Sequence, residues 1–332
     1  TQAVDREHAN LGFFHGWIAE FAKQCDSVHV ICLEEGAHDL PRTVRVYSLG
    51  KEARVSRLTY LVRFYRLIIS LRRDYDAVFV HMNPEYVVLG GPVWKLMGKK
   101  VGLWYVHKSL TLWLQIAARL ADSIFTVARE SISLASQRVR VVGHGIDIER
   151  FAPAQRSRTD ELRLVCVGRI SASKGQRMIL ETLEQVYERG HRFRLEIVGL
   201  PVTAADVSYE AEARRSLAAR VWRDQVVWRG AVAYADMPAL LRESDVLLNI
   251  STTGGYDKVV LEALACGTPA ISSNPPFRAL LEPLGLFVEH VTPDTIADAI
   301  VSAADRDVSS LRAEIVEKHS LKVLISKILG NY

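Results

Sequence analysis

Between residues 28 and 272 short apolar runs alternate with segments of helical spacing, and this alternation restricts the fold more than any other feature of the chain. Residues 28–33, 44–47, 77–81, 101–106, 124–127 and 139–142 read as strands, with helices at 12–23, 56–73, 86–97 and 110–121 before or between them. Strands separated by helices build βαβ units and a parallel sheet. The stretch 143–153, GHGIDIERFAP, interrupts the series with two glycines and a proline, and the polar residues 155–161 follow it. A domain boundary is expected there. A second series then runs through strands at 162–167, 194–198, 226–228, 246–250 and 270–272, with helices at 176–188, 206–222, 237–243, 258–265, 294–304 and 308–329. At 332 residues the chain exceeds the usual size of one core, so two α/β domains are expected, 1–153 and 162–306, with 307–332 as a C-terminal helix. The opening TQAVDREHANLG reads as loop, and a strand is expected upstream of Thr1.

Composition is that of a globular chain, 49% hydrophobic and 24% charged, without an apolar run approaching the roughly 18 residues of a membrane span. A cytoplasmic location is expected, at most peripheral at the inner face of a membrane. Cys25, Cys32, Cys166 and Cys266 show no pairing pattern and are expected to be free thiols, mostly buried in strand runs. Charge divides the chain: through Arg158 there are 22 Lys plus Arg against 15 Asp plus Glu, and beyond it 20 against 23. The basic half should face something acidic, and an anionic membrane or a lipid-phosphate acceptor fits better than nucleic acid, for which no motif is present. Six arginines lie from Arg54 to Arg73, five of them on a helix whose Leu58, Leu61, Val62, Tyr65, Ile68 and Ile69 share one face. That helix is expected to pack this face on the core, and its basic face also suits a membrane interface.

Two strand-to-helix transitions carry the candidate chemistry. In 165–175, VCVGRISASKG, Arg169 and Lys174 follow a strand and are bracketed by Gly168 and Gly175, an arrangement that suits a phosphate clamp. In 254–269, GGYDKVVLEALACGTP, a small polar loop opens a helix, and an anion placed there meets free backbone N–H groups and the positive end of the helix dipole. Glu262 lies one turn inside that helix among Val259, Val260, Leu261, Ala263 and Leu264, so a buried carboxylate needs a partner. Two ribose hydroxyls would serve. Asp257 precedes the helix and can cap it. His107 and His81 end strands, and His144 lies in the boundary loop. No His, Cys or carboxylate cluster has metal-ligand spacing.

These residues resemble a glycosyltransferase of family 4, and the similar features run along nearly the whole chain. The resemblance implies the GT-B fold: two Rossmann-like domains facing a cleft, an acceptor domain first and a donor domain second, with the final helix crossing back to the first domain. It implies retaining, metal-independent transfer of a hexose from a nucleotide diphosphate sugar to a hydroxyl acceptor, glycan or lipid-linked, without a cofactor. Arg169 and Lys174 match the residues that hold the donor diphosphate, and Glu262 matches the second of two glutamates separated by seven residues, which binds the ribose. The first of that pair is replaced by Gly254, which leaves Asp257 as the nearest acid able to substitute. His107 is similar to the histidine that contacts the transferred sugar. The implied catalytic set is His107, Arg169, Lys174 and Asp257. The donor set adds Gly12, Gly254, Gly255, Lys258, Val259, Val260 and Glu262, and His81 and His144 fall on the acceptor side. A nucleotide-sugar epimerase and a degenerate sugar-nucleotide-binding protein are the alternatives, the second because of Gly254.

Overall fold

Every strand pair among the described residues is parallel, as the alternation of runs requires. The computed structural model describes residues 1–8, 11–155, 159–251 and 255–332. The chain divides into two units, one made of Thr1–Gly145 with Ser320–Tyr332 and one of Ile146–His319.

The first unit contains β1 (Ala3–Val4), α1 (Gly12–Gln24), β2 (Val28–Cys32), β3 (Glu34–Glu35), β4 (Val44–Ser48), α2 (Arg57–Ser70), β5 (Ala77–His81), α3 (Pro84–Leu96), β6 (Lys100–Trp104), α4 (Leu112–Leu120), β7 (Ser123–Thr126) and β8 (Val139–Val141). β5 to β8 form one sheet in sequence order, while β2 pairs with β4 and β1 with β3. The pairing of β1 corrects the reading of the first residues as loop: Ala3 and Val4 are buried and lie in register with Glu34 and Glu35. Two residues are too few to show periodicity. Alternation along the strands gives the sheet two apolar faces. Phe64 and Ile68 of α2, Trp94 of α3 and Leu114 of α4 join Val80, Leu103 and Ile124 in one core. Phe79 and Phe125 meet Trp17 and Tyr332 instead.

The inward face of α2 is narrower than the spacing predicts. Phe64 and Ile68 are buried, but Leu58, Val62 and Ile69 are 69%, 59% and 46% exposed. The helix is buried along one strip, Phe64 and Ile68, one turn apart. Ser56 caps it, with Thr59 N donating to Ser56 Oγ at 3.2 Å.

The second unit contains β9 (Glu161–Val167), α5 (Gln176–Glu188), β10 (Arg192–Val198), α6 (Ala204–Ala218), β11 (Val226–Gly230), α7 (Met237–Glu243), β12 (Val246–Asn249), α8 (Lys258–Ala265), β13 (Ala270–Ser272), α9 (Arg278–Leu281), α10 (Pro293–Ala303) and α11 (Ser309–His319). Its sheet runs β11-β10-β9-β12-β13, so the winding reverses between β9 and β12. In an open parallel sheet the carboxyl ends at such a reversal leave a crevice in which ligands bind. Ile146 and Phe151 are fully buried in this unit's core, which is why the division falls at Gly145 rather than after residue 153.

The helix expected at 308–329 is two helices. Ser320 breaks it and its hydroxyl caps α12 (Leu321–Leu329), accepting from Val323 N at 3.4 Å. α11 packs on α8 in the second unit, and α12 on α1 in the first. All four cysteines are free, Cys25 half-buried and the others buried. Burial pushes the thiols of Cys32, Cys166 and Cys266 up to about 12.

Candidate functional site

The reversal in the second sheet brings together the loops after β9 and β12, which contain both charged stretches singled out above. The loop after β9 is shaped by backbone constraints. Gly175 has φ +69°, and a Cβ there would lie 2.3 Å from the Ile250 carbonyl oxygen, so only glycine lets the two loops approach this closely. Buried Gln176 braces the loop from beneath: its Nε2 donates to Arg169 O at 3.1 Å and its Oε1 accepts from Ser171 N at 3.3 Å. Ser251 Oγ donates to Ser173 O at 3.4 Å across the two loops.

Arg169 and Lys174 leave this loop in different states. Arg169 is half exposed, its Nε 3.8 Å from Asp206 Oδ2. Lys174 is mostly buried and donates to Asp257 Oδ1 at 2.5 Å. Asp257 occupies the cap position of α8 without making a side-chain cap bond. Of the two roles open to it, a cap for the helix or a substitute for the missing glutamate, the side-chain cap is not made. Its Oδ2 accepts instead from Asn249 Nδ2 at 2.9 Å and from Asn274 Nδ2 at 3.5 Å. Gly255 offers its carbonyl to Asn274 Nδ2, while Val259 is half-buried and Val260 buried on the first turn of α8. Gly254 lies outside the described residues.

Glu262 is the buried carboxylate the sequence implies, 4% exposed, and its partners lie within its own unit. Lys258, one turn earlier, places Nζ 2.8 Å from Glu262 Oε1, and the Tyr234 hydroxyl donates to the same oxygen at 3.1 Å. Lys258 Nζ also donates to the Tyr234 hydroxyl at 2.8 Å and lies 4.4 Å from the ring centroid. The Arg150 guanidinium lies 5.5 Å from the same ring. Burial first, and then the Glu262 carboxylate, push the Tyr234 phenol far above its ordinary range, so it stays a donor. Among the described residues Oε2 of Glu262 has no such partner, which leaves it able to accept from a ligand hydroxyl.

In the first unit the expected residues separate by burial. His107 follows β6 in an exposed loop, its ring edge-on to Tyr105 at 5.9 Å. His144 is half-buried in the loop after β8. Gly12 starts α1, and a Cβ there would meet Arg6 O at 2.8 Å. His81 ends β5 but is 4% exposed, stacked on Phe14 at 4.1 Å and edge-on to Phe13. Burial lowers it to about 3, so the ring is neutral and belongs to the core, where it has no access to an acceptor.

Tyr234, Asn249, Ser272 and Asn274 were not picked out by the sequence reading. Asn249 and Ser272 left a faint signal as polar residues ending otherwise apolar runs. Tyr234 left none, because only the folding of the β11 loop over α8 gives it a partner. Among the described residues no three His, Cys, Asp or Glu side chains converge as a metal site requires, and no helix is long and apolar enough to cross a membrane.

Known proteins match this architecture. The model of the family described as glycosyl transferases group 1 covers residues 161–306, which span both charged loops. A GDP-mannose:cellobiosyl-diphosphopolyprenol alpha-mannosyltransferase of Xanthomonas campestris is 29% identical over 311 residues, 84% of this chain and 80% of the relative. A UDP-Gal:alpha-D-GlcNAc-diphosphoundecaprenol alpha-1,3-galactosyltransferase of Escherichia coli is 24% identical over 356 residues, 92% and 88% of the two chains. The crystal structure of Anabaena HepE in complex with UDP superposes with a TM-score of 0.73 at 16% identity, over 99% of this chain and 98% of that one, and shows the fold to be GT-B. Fold, matched domain and named relatives agree: the chain is a glycosyltransferase of GT-B fold, and residues 161–306 of its second unit match the model of the group 1 glycosyl transferases.

Proposed function

We propose that this glycosyltransferase is of family 4 and moves a hexose, with retention and without a metal, from a nucleoside diphosphate sugar to a hydroxyl of a lipid-linked acceptor. The observation that carries the reading is the placing of Arg169, Lys174, Asp257, Lys258 and Glu262 around the reversal between β9 and β12. Arg169, Lys174 and the first amides of α8 take the diphosphate, and Glu262 Oε2 takes a ribose hydroxyl. In this reading Lys174 and Arg169 also stabilise the charge that grows on the leaving diphosphate. Gly255, Val259 and Val260 line the donor with backbone.

Retention by double displacement needs a carboxylate offered to the anomeric carbon. Asp257 is poorly suited to that task, with both oxygens engaged by Lys174 and Asn249. Departure and attack on one face, with the leaving phosphate accepting the proton of the acceptor hydroxyl, needs no such group. A lipid-linked acceptor is supported by the names of both relatives, which print a diphosphopolyprenol and a diphosphoundecaprenol. It is also supported by α2, where Leu58, Val62 and Ile69 are exposed among the six arginines of 54–73, a run without an acidic residue. Such a face suits an anionic bilayer, with the enzyme peripheral at the inner face of the membrane.

The test is incubation with UDP-, GDP-, ADP- and dTDP-sugars, with and without polyprenyl-diphosphate-linked sugars. Nucleoside diphosphate release that requires the acceptor, an axial-to-axial product by NMR, and a rate unaffected by EDTA are expected. Epimerised donor without acceptor, an inverted product, or a rate abolished by EDTA and restored by a divalent cation would each overturn the corresponding part.

A further inference from the structure

Asp257 stands where an aspartate ordinarily folds back onto the first amides of its helix. Its carboxylate turns away from them. Oδ1 accepts from Lys174, 83 residues earlier in the chain, at 2.5 Å, and Oδ2 accepts from Asn249 at 2.9 Å. The polarity of these bonds is set from behind. Ser272 Oγ donates to Asn249 Oδ1 at 2.8 Å, which turns the Asn249 NH2 toward Asp257, and Asn274 N donates to Ser272 Oγ at 3.1 Å. Asn249, Ser272 and Asn274 are all buried, at the ends of β12 and β13. The ends of two strands thus orient one carboxylate, and the carboxylate holds one amino group.

A lysine stem has four rotatable bonds, so a cation on it is placed only where something holds it. Lys174 and Asp257 are each 18% exposed at the side chain, whereas Arg169 is 47% exposed and 3.8 Å from its acid. A carboxylate capping α8 would also compete with an incoming anion for the same amides. We propose that Asp257 is a positioning residue: its carboxylate sets Lys174 Nζ beside the start of α8 instead of capping that helix, so that the cation faces a diphosphate bound there. This rests on the reading of Lys174 as a diphosphate ligand.

A double-mutant cycle tests it. Binding of UDP, GDP, ADP and dTDP to the full chain is measured by calorimetry, and the tightest is then titrated into Lys174→Ala, Asp257→Asn and the double variant. Lys174→Ala is expected to weaken binding about tenfold and Asp257→Asn about fivefold, each removing a charge-assisted contact. The double variant should bind within about twofold of Lys174→Ala, because Asp257 acts through Lys174. An Asp257→Asn effect of equal size in both backgrounds overturns the proposal, as does tighter binding by Asp257→Asn, which would make Asp257 a competitor. Unchanged affinity in Lys174→Ala, or no binding of any of the four to the unsubstituted chain, refutes instead the diphosphate reading beneath it. Should Asp257→Asn fail to fold, Ser272→Ala probes the same bonds from the far end, with about a twofold loss expected that vanishes in the Lys174→Ala background.

Discussion

The two units place ionisable groups at the carboxyl ends of parallel strands and then treat them in opposite ways. In the first, His81 ends β5 and is sealed among Phe13, Phe14 and Trp17, where burial keeps it neutral. In the second, Lys174, Asp257, Lys258 and Glu262 are kept near the ends of β9 and β12 as two ion pairs. The same position in a βαβ unit therefore does not make a functional group. A group with opposite charges and hydrogen-bond donors around it remains charged, and one walled by rings gives up its charge and becomes core.

The largest expected effect tests the charged side of this contrast. Lys258→Met leaves the Glu262 carboxylate buried with Tyr234 as its remaining described partner, and should lower the unfolding free energy by about 2–3 kcal/mol, less than for a fully buried pair because Lys258 is 22% exposed. Adding Glu262→Gln should recover most of the loss. Urea denaturation of the three proteins measures this, and a loss under about 0.5 kcal/mol for Lys258→Met would show the pair to be incidental.

The next tests the neutral side. The native His81 pKa of about 3 lies below the unfolded value near 6.5, so above pH 6.5 neither state binds the proton and the residue adds no pH dependence. As pH falls from 6.5 toward 3 the unfolded state takes the proton and the native state does not, and stability is lost. His81→Phe, which keeps a ring against Phe14, should remove this component, gaining about 2 kcal/mol on the unsubstituted protein at pH 5 relative to their difference at pH 7. Parallel stability curves over that range would mean that His81 titrates freely.

The smallest effect concerns a face that neither core uses. Leu58→Ser, Val62→Ser and Ile69→Ser should each change stability by less than about 0.5 kcal/mol, because these side chains are already in water. If α2 meets a bilayer, the triple variant should bind anionic vesicles several-fold more weakly at unchanged melting temperature. A stability loss of core size would instead return these residues to the interior.

The sequence by itself determined the parallel α/β architecture, most strand and helix positions, and the two charged loops, because periodicity and turn chemistry are local and survive without a partner. It also required a partner for Glu262, since an apolar helix cannot hold a lone carboxylate, although Lys258 one turn away was not read as that partner. What tertiary structure alone decided were the pairings that cross the sheet. Lys174 meets Asp257 because the winding reverses between β9 and β12, and Asn249 and Ser272 matter because β12 and β13 are neighbours. The same limit accounts for α2 and His81. Spacing shows which residues share a face, but burial depends on how far neighbouring elements extend over it, and that is fixed only when the layers pack.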